Sequence, residues 1–184
     1  MLISVVLLVV VLSSVAFVSA ATSPQPLNGK GAVFQYVASG HIINAYVVMS
    51  DSGKDGIMYV SIQHPRGVSA AQGDVVFKWN MNRITAEAMN LDFALTGDTT
   101  TGFIGKHNVT ITWATNGDAI LGQSTVNTGH GLTFSMNGQY KSAEAMMDIS
   151  DFNNGGHTHL GPYESTWAAI FQGSGQLLLT MPSS

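Results

Sequence analysis

Hydrophobic and polar residues alternate with a period of two along most of the chain after its N-terminal portion. Residues 74–81 place Val75, Phe77, Trp79 and Met81 on one face, and polar side chains hold most of the other face. Residues 108–115, 132–137 and 58–63 repeat the pattern. A strand that packs one face on a core and leaves the other in solvent alternates in this way. The pattern therefore predicts an antiparallel sheet.

Turn residues separate the predicted strands. Asn116-Gly117 lies between residues 109–115 and 119–126, and Asn137-Gly138 follows residues 132–136. Each Asn-Gly pair predicts a tight hairpin turn, because both central residues of a type I′ turn need positive φ. Further turns are predicted at residues 51–56, 96–102 and 172–175. The expected fold is all-β, either an antiparallel β-sandwich or an up-and-down β-barrel, with about 8–10 short strands.

The first 20 residues predict an N-terminal signal peptide. They are uncharged and mostly apolar, and they end in Val18-Ser19-Ala20, which places small residues where signal peptidase cleaves. The apolar run of residues 2–18 has no Lys or Arg before it and is long enough to span a bilayer. The alternative is therefore an uncleaved N-terminal anchor. Both versions place the rest of the protein outside the cytoplasm, secreted or anchored.

The remainder of the chain divides into an arm and one domain. Residues 21–31 contain two prolines and two glycines without periodicity, which predicts an extended arm or linker. Residues 32–184 have the length and patterning of a single antiparallel β domain. A domain of this size buries enough surface to fold without disulfides.

Composition excludes several classes of protein. The sequence has no cysteine, so it forms no disulfide scaffold and no thiolate metal site. Only 10% of the residues are charged and the net charge is −4, which argues against a nucleic-acid partner because phosphate binding needs a basic surface. No Gly-x-Ser-x-Gly elbow, Walker A loop or dinucleotide fingerprint occurs. We therefore assign no catalytic residue and favour a non-catalytic protein.

Two histidines form the candidate metal site. His157 and His159 are two residues apart, so on a strand both imidazoles would point to the same side. Glu164 is the candidate third ligand, and Asp148 and Asp151 are also near in sequence. The pattern indicates a divalent metal as the candidate cofactor, and its alternative is a polar loop that happens to contain two histidines.

Aromatic and methionine side chains on the predicted inward faces are candidates for lining a ligand cavity. Such residues either fill a core or surround a small apolar ligand, as an eight-stranded barrel allows. The candidate lining residues are Trp79, Trp113, Trp167, Met81, Met89 and Met136.

Asn108 begins the sequon Asn108-Val109-Thr110 and lies on the predicted outward face of its strand. It is the candidate glycosylation site if the host glycosylates exported proteins.

Three functional hypotheses follow from these patterns. The leading one is an exported, non-catalytic β domain with a binding or structural role, which associates with itself or with an extracellular matrix or cell-surface partner. Low charge favours association, and the arm of residues 21–31 could add to a neighbour's sheet edge. The alternatives are a β-barrel carrier of a small apolar ligand and a metal-binding protein or metalloenzyme that uses His157 and His159.

Overall fold

All described secondary structure is β, which confirms the predicted fold class. The computed structural model describes residues 24–38, 40–65, 67–80, 82–96, 102–115, 120–151 and 158–179. The predicted leader lies outside these residues. The strands are β1 (Gln25–Ala38), β2 (His41–Met49), β3 (Asp55–His64), β4 (Gly67–Asn80), β5 (Arg83–Leu95), β6 (Gly105–Ala114), β7 (Ile120–Asn127), β8 (Leu132–Ser142), β9 (Glu144–Asp151), β10 (Thr158–Glu164) and β11 (Trp167–Leu179).

The eleven strands form one antiparallel sheet in the order β10-β9-β6-β5-β4-β3-β2-β1-β11-β8-β7. The sheet does not close into a barrel, and the arrangement is consistent with a β-sandwich. Strands β1 to β6 form a continuous meander in which each strand pairs with the next. The later strands extend the sheet at both sides, so β10 and β7 are its two edges.

The hairpin predicted at Asn116-Gly117 is wrong in its pairing. β6 pairs with β5 and β9, whereas β7 pairs with β8 at the opposite side of the sheet. Residues 116–119 themselves lie outside the described part of the chain. The Asn-Gly signal reports only local backbone preference, whereas strand pairing also depends on which faces can be buried together.

Asn137-Gly138 does not end a strand either, because it lies inside β8. Gly138 is opposite Gly122 of β7 and Gly173 of β11, and Gly173 is opposite Gly29 of β1. These four glycines, which we call the glycine crease, have φ between 92° and 146°. A Cβ on Gly173 would lie 2.3 Å from the carbonyl oxygen of Asn137. Glycine is required here because neighbouring strands approach closely and the backbone is unfavourable for other residues.

The other side of the sheet contains two bulges. The β5–β6 register shifts between Ala88 and Leu91, where Asn90 has a φ of 56°. The β9–β10 register shifts between Leu160 and Tyr163, which flank the cis bond between Gly161 and Pro162. A bulge adds one residue to a strand and changes which side chains face inward.

Two hydrophobic clusters lie on opposite faces of the sheet, and β1 contributes to both. Ala32 and Phe34 belong to the first core, which packs side chains of β1–β6, β9 and β11. Val33 points the other way into the second core, which packs β1 against β8 and β11. The buried members of the second core are Leu27, Val33, Leu132, Phe134, Met136, Tyr140, Ala169, Phe171 and Leu177.

The N-terminal arm predicted for residues 21–31 is wrong for its second half. Gln25 to Gly31 are the first half of β1 and pair with β11. Leu27 is fully buried in the second core. The prolines and glycines suggested a linker, but Pro26 is opposite Gln176 in the ladder and Gly29 belongs to the glycine crease. This segment is therefore part of the sheet rather than a free arm.

Within the described residues, no helix is long and apolar enough to cross a membrane.

Candidate functional site

The two edges of the sheet differ in their protection against pairing with other chains. β7 reads ILGQSTVN, with no charged residue and no proline, and its only hydrogen-bonded neighbour among the described strands is β8. β10 reads THLGPYE and contains Pro162, the bulge and the exposed ionisable side chains of His159 and Glu164. Prolines, bulges and charges are the features that stop an edge strand from accepting another strand. β7 therefore offers a usable edge and β10 does not.

A second candidate site is a pocket of about 210 Å³ at one end of the first core. Met49, Ile84 and Ile170 form its apolar part, and Lys30 and Lys141 supply two ammonium groups. We call it the lysine pocket. No Asp or Glu is among the described residues that line it. The surrounding polar groups are neutral amides and a hydroxyl, from Asn82, Thr115, Gln139 and Gln172.

Trp79 forms one wall of the lysine pocket. Its indole Nε1 donates a hydrogen bond to the carbonyl oxygen of Gly53 at 2.8 Å, so its orientation is fixed by the turn between β2 and β3. The side chain remains 50% exposed. Trp79 lies on the predicted inward face, because it is opposite Ile84 of the first core, but that core does not enclose it.

The other predicted ligand-lining residues do not surround one space. Trp113 is fully buried in the first core, where its Nε1 donates to the carbonyl oxygen of Val33 at 3.0 Å. Met136 and Trp167 pack in the second core. Met89 is 62% exposed, so its predicted inward orientation is wrong. The bulge after Ala88 leaves Met89 and the next residue both outside before Leu91 returns to the core.

Met81 lies outside the described residues. The described members of the predicted set are therefore divided between two cores and the surface. An apolar-ligand carrier of the predicted kind requires them to line one cavity, and this division gives it no support.

The described part of the predicted metal site contains one ion pair. His159 Nε2 lies 3.2 Å from Asp148 Oδ1, and both side chains are about half exposed. Glu164 and Asp148 line an acidic pocket together with Glu144 and Arg83. Among the described residues no group of three or more His, Asp or Glu side chains is placed to hold a metal ion. His157 lies outside the described residues, so its part in a site stays a prediction.

Asn108 has a structural role that its sequon does not reveal. Its side-chain Oδ1 accepts a hydrogen bond of 2.9 Å from the backbone N–H of Asn90, the residue with positive φ in the β5 bulge. The side chain is half-buried. Glycosylation of Asn108 stays a prediction, and the amide already stabilises the bulge.

Two tyrosine pairs pack against the two cores. Tyr46 and Tyr59 stack with ring centroids 5.1 Å apart, and Tyr46 packs against the second core. Burial, with a smaller contribution from Tyr59, raises the pKa of Tyr46 to about 12. Tyr36 and Tyr163 lie 4.9 Å apart beside the first core. Burial also raises the pKa of Tyr163, with Tyr36 as the second cause.

The chain matches no protein-family model, no curated protein and no solved structure. The edges and the lysine pocket are therefore the features that bear on function. Neither was predicted from the sequence. The uncharged sequence of β7 was a signal for the edge. The lysine pocket had no such signal, because Lys30 and Lys141 are 111 positions apart and only the pairing of β1, β11 and β8 brings them together.

Proposed function

We propose that this protein is an exported structural β protein that associates with a second copy of itself through strand β7. One observation supports the proposal above the others: an open eleven-stranded sheet ends in an eight-residue strand that has no charge and no proline. The N–H and C=O groups on the outer side of such a strand are ready to pair with another strand. The predicted leader supports export.

The partner strand is β7 of the second copy, in antiparallel orientation. An antiparallel contact between two identical strands has two-fold symmetry. Where residue i of one copy contacts residue j of the other, residue j of the first copy also contacts residue i of the second. Gln123, Thr125 and Asn127 are exposed and uncharged, so no like charges would face each other across the contact. The expected product is a dimer with one continuous sheet. The protected β10 edge would stop further addition and prevent a fibre.

The described architecture changes the assembly hypothesis in one respect. The arm of residues 21–31 was the expected donor strand, but its residues from 25 onward already belong to β1. β7 takes its place because it is an edge strand by topology. Association through β7 requires no rearrangement of the sheet.

The decisive test places two lysines on the edge strand. The double variant Gln123→Lys/Thr125→Lys would bring like charges together across the β7–β7 contact, which is destabilising in antiparallel pairs. We expect the unaltered protein to be a dimer by sedimentation velocity and the variant to be a monomer with an unchanged circular dichroism spectrum.

The matched control is Ser174→Lys/Gln176→Lys. It adds the same two charges at the same spacing to exposed positions of β11, which is an interior strand. The control should remain dimeric. A monomeric unaltered protein, or equal loss of dimer in both variants, would contradict association through β7.

A further inference from the structure

The lysine pocket is the feature of the molecule that the proposed assembly does not use. It lies on the first-core face of β1, β11 and β8, whereas association would occur at the backbone edge of β7. Its basic lining is unusual for this protein. Two of the seven basic residues line a space of about 210 Å³ in a protein of net charge −4, and no described acid lines it with them.

The sheet register places the two lysines on the same face. Lys30 is opposite Gln172 of β11, and Gln172 is opposite Gln139 of β8. Lys141 follows Gln139 by two residues and therefore points to the same side of β8. Standard strand spacings put the two lysine Cα atoms roughly 11–12 Å apart. Each flexible lysine stem covers about half of that distance, so both ammonium groups can reach one anion between them.

Neither ammonium group has an acidic partner in the described residues, where the ion pairs are Lys78–Glu87 and His159–Asp148. Lys30 is exposed and Lys141 is partly buried, so both ammonium groups are accessible to a solute. Two like charges that share a small space repel each other, and an anion that enters between them relieves that repulsion. Hydrogen bonds between ionised groups are the strong ones in proteins. The primary amides of Gln139 and Gln172 supply further donors.

The apolar part of the pocket lining indicates which chemical group the anion must carry besides its charge. Trp79, Met49, Ile84 and Ile170 are apolar or aromatic and lie beside the lysines. The indole edge of Trp79 is already satisfied by Gly53, so its apolar surface remains to contact a ligand. The volume is below the roughly 300–1,000 Å³ typical of sites for drug-sized molecules. The ligand is therefore small.

We propose that the lysine pocket binds a small organic carboxylate whose apolar or aromatic body packs on Trp79 and whose carboxylate lies between Lys30 and Lys141. This site differs from the apolar cavity expected from the sequence, because charge recognition is its central feature. It is also independent of assembly through β7.

Benzoate is the probe for this site and benzyl alcohol is its uncharged counterpart of nearly equal size. We expect benzoate to quench Trp79 fluorescence saturably, to raise the melting temperature and to shift the backbone amide signals of residues 139–141 and 170–172. Benzyl alcohol and sodium sulfate should each bind roughly tenfold or more weakly, because one lacks the charge and the other the apolar body.

Three variants measure separately what the lysines and Trp79 contribute to benzoate binding. Lys30→Gln/Lys141→Gln should weaken benzoate binding roughly tenfold or more, whereas Lys106→Gln, which removes one charge from β6 at a distance from the pocket, should leave it unchanged. Trp79→Leu should weaken benzoate binding, so the same backbone amide shifts should appear at a higher benzoate concentration. Melting curves of each variant without ligand establish that it is folded.

Specific results would overturn the proposal. Equal binding of benzoate and benzyl alcohol would show that charge is not recognised, and equal binding of sulfate would show that no organic body is needed. Unchanged affinity in the double lysine variant would place the site elsewhere. Dimer formation is measured separately, so failure here leaves the β7 proposal standing.

Discussion

The two sides of the sheet differ in the regularity of their pairing and in their edges. On the β7 side, four glycines with positive φ lie in one row across β1, β11, β8 and β7, and the last strand carries no charge. On the β10 side, β5 and β10 each contain a single-residue bulge, and the last strand carries a proline and ionisable groups. A bulge disrupts the ladder, whereas the glycine row keeps it intact. The β7 side therefore continues its regular pairing to an unprotected edge, and the β10 side ends in an irregular, protected one.

The largest expected effect comes from filling the glycine crease. Gly173→Ala should destabilise the protein by roughly 3–5 kcal/mol, because the positive φ becomes strained and the new Cβ would lie 2.3 Å from the carbonyl oxygen of Asn137. Gly29→Ala, in the same row, has open space around its Cβ and should cost only about 1–2 kcal/mol. Urea denaturation measures both. Equal losses would show that backbone strain alone, and not the close approach of β8 and β11, requires glycine.

Alkaline pH should affect the tyrosine pair beside the second core more than the pair beside the first core. Tyr46 has a folded pKa of about 12, above the value near 10 expected in the unfolded chain. Its contribution of about 2–3 kcal/mol is fully present below pH 10 and is lost as the pH rises through 12, because the unfolded chain then releases the proton first. The free energy of unfolding should therefore fall between pH 10 and 12.

Two phenylalanine variants compare the two tyrosine pairs. Tyr46→Phe should reduce the pH dependence more than Tyr163→Phe, because Tyr163 is less buried. Part of the dependence should remain in the Tyr46 variant, because burial also raises the pKa of Tyr59. Urea midpoints at pH 8, 10 and 11.5 measure the difference, and a larger change in the Tyr163 variant would contradict this order.

The smallest expected effect concerns the ion pair on β9 and β10. Asp148→Asn removes the carboxylate from His159, but both side chains are about half exposed and the solvent screens their attraction. We expect a loss of less than about 0.5 kcal/mol. The urea midpoints of the variant and of the unaltered protein measure it. A loss above about 2 kcal/mol would show that the β10 edge depends on this pair.

Local alternation was sufficient to predict the strands but not their partners. Val109, Ile111 and Trp113 are buried as the pattern indicated. The same reasoning failed for Met89, because it lies in the bulge between Ala88 and Leu91, where the buried positions change from even to odd numbers. The alternation of residue types does not mark that change. The turn prediction also failed for Asn137-Gly138, because Gly138 allows two strands to approach closely and does not form a turn. The Asn-Gly pair has the same local backbone preference in a turn and inside this strand.

The amino-acid sequence by itself determined that the protein is all-β, that strands such as β6 carry one buried face and that the protein holds together without disulfides. The first two properties follow from the period of side chains along a single strand, and the third follows from the absence of cysteine. Only the tertiary structure decided that the sheet stays open, that β7 is an edge and that Lys30 lies near Lys141. Each of these depends on which strands are neighbours, and strand order is set by the joint burial of distant faces, which no local pattern encodes.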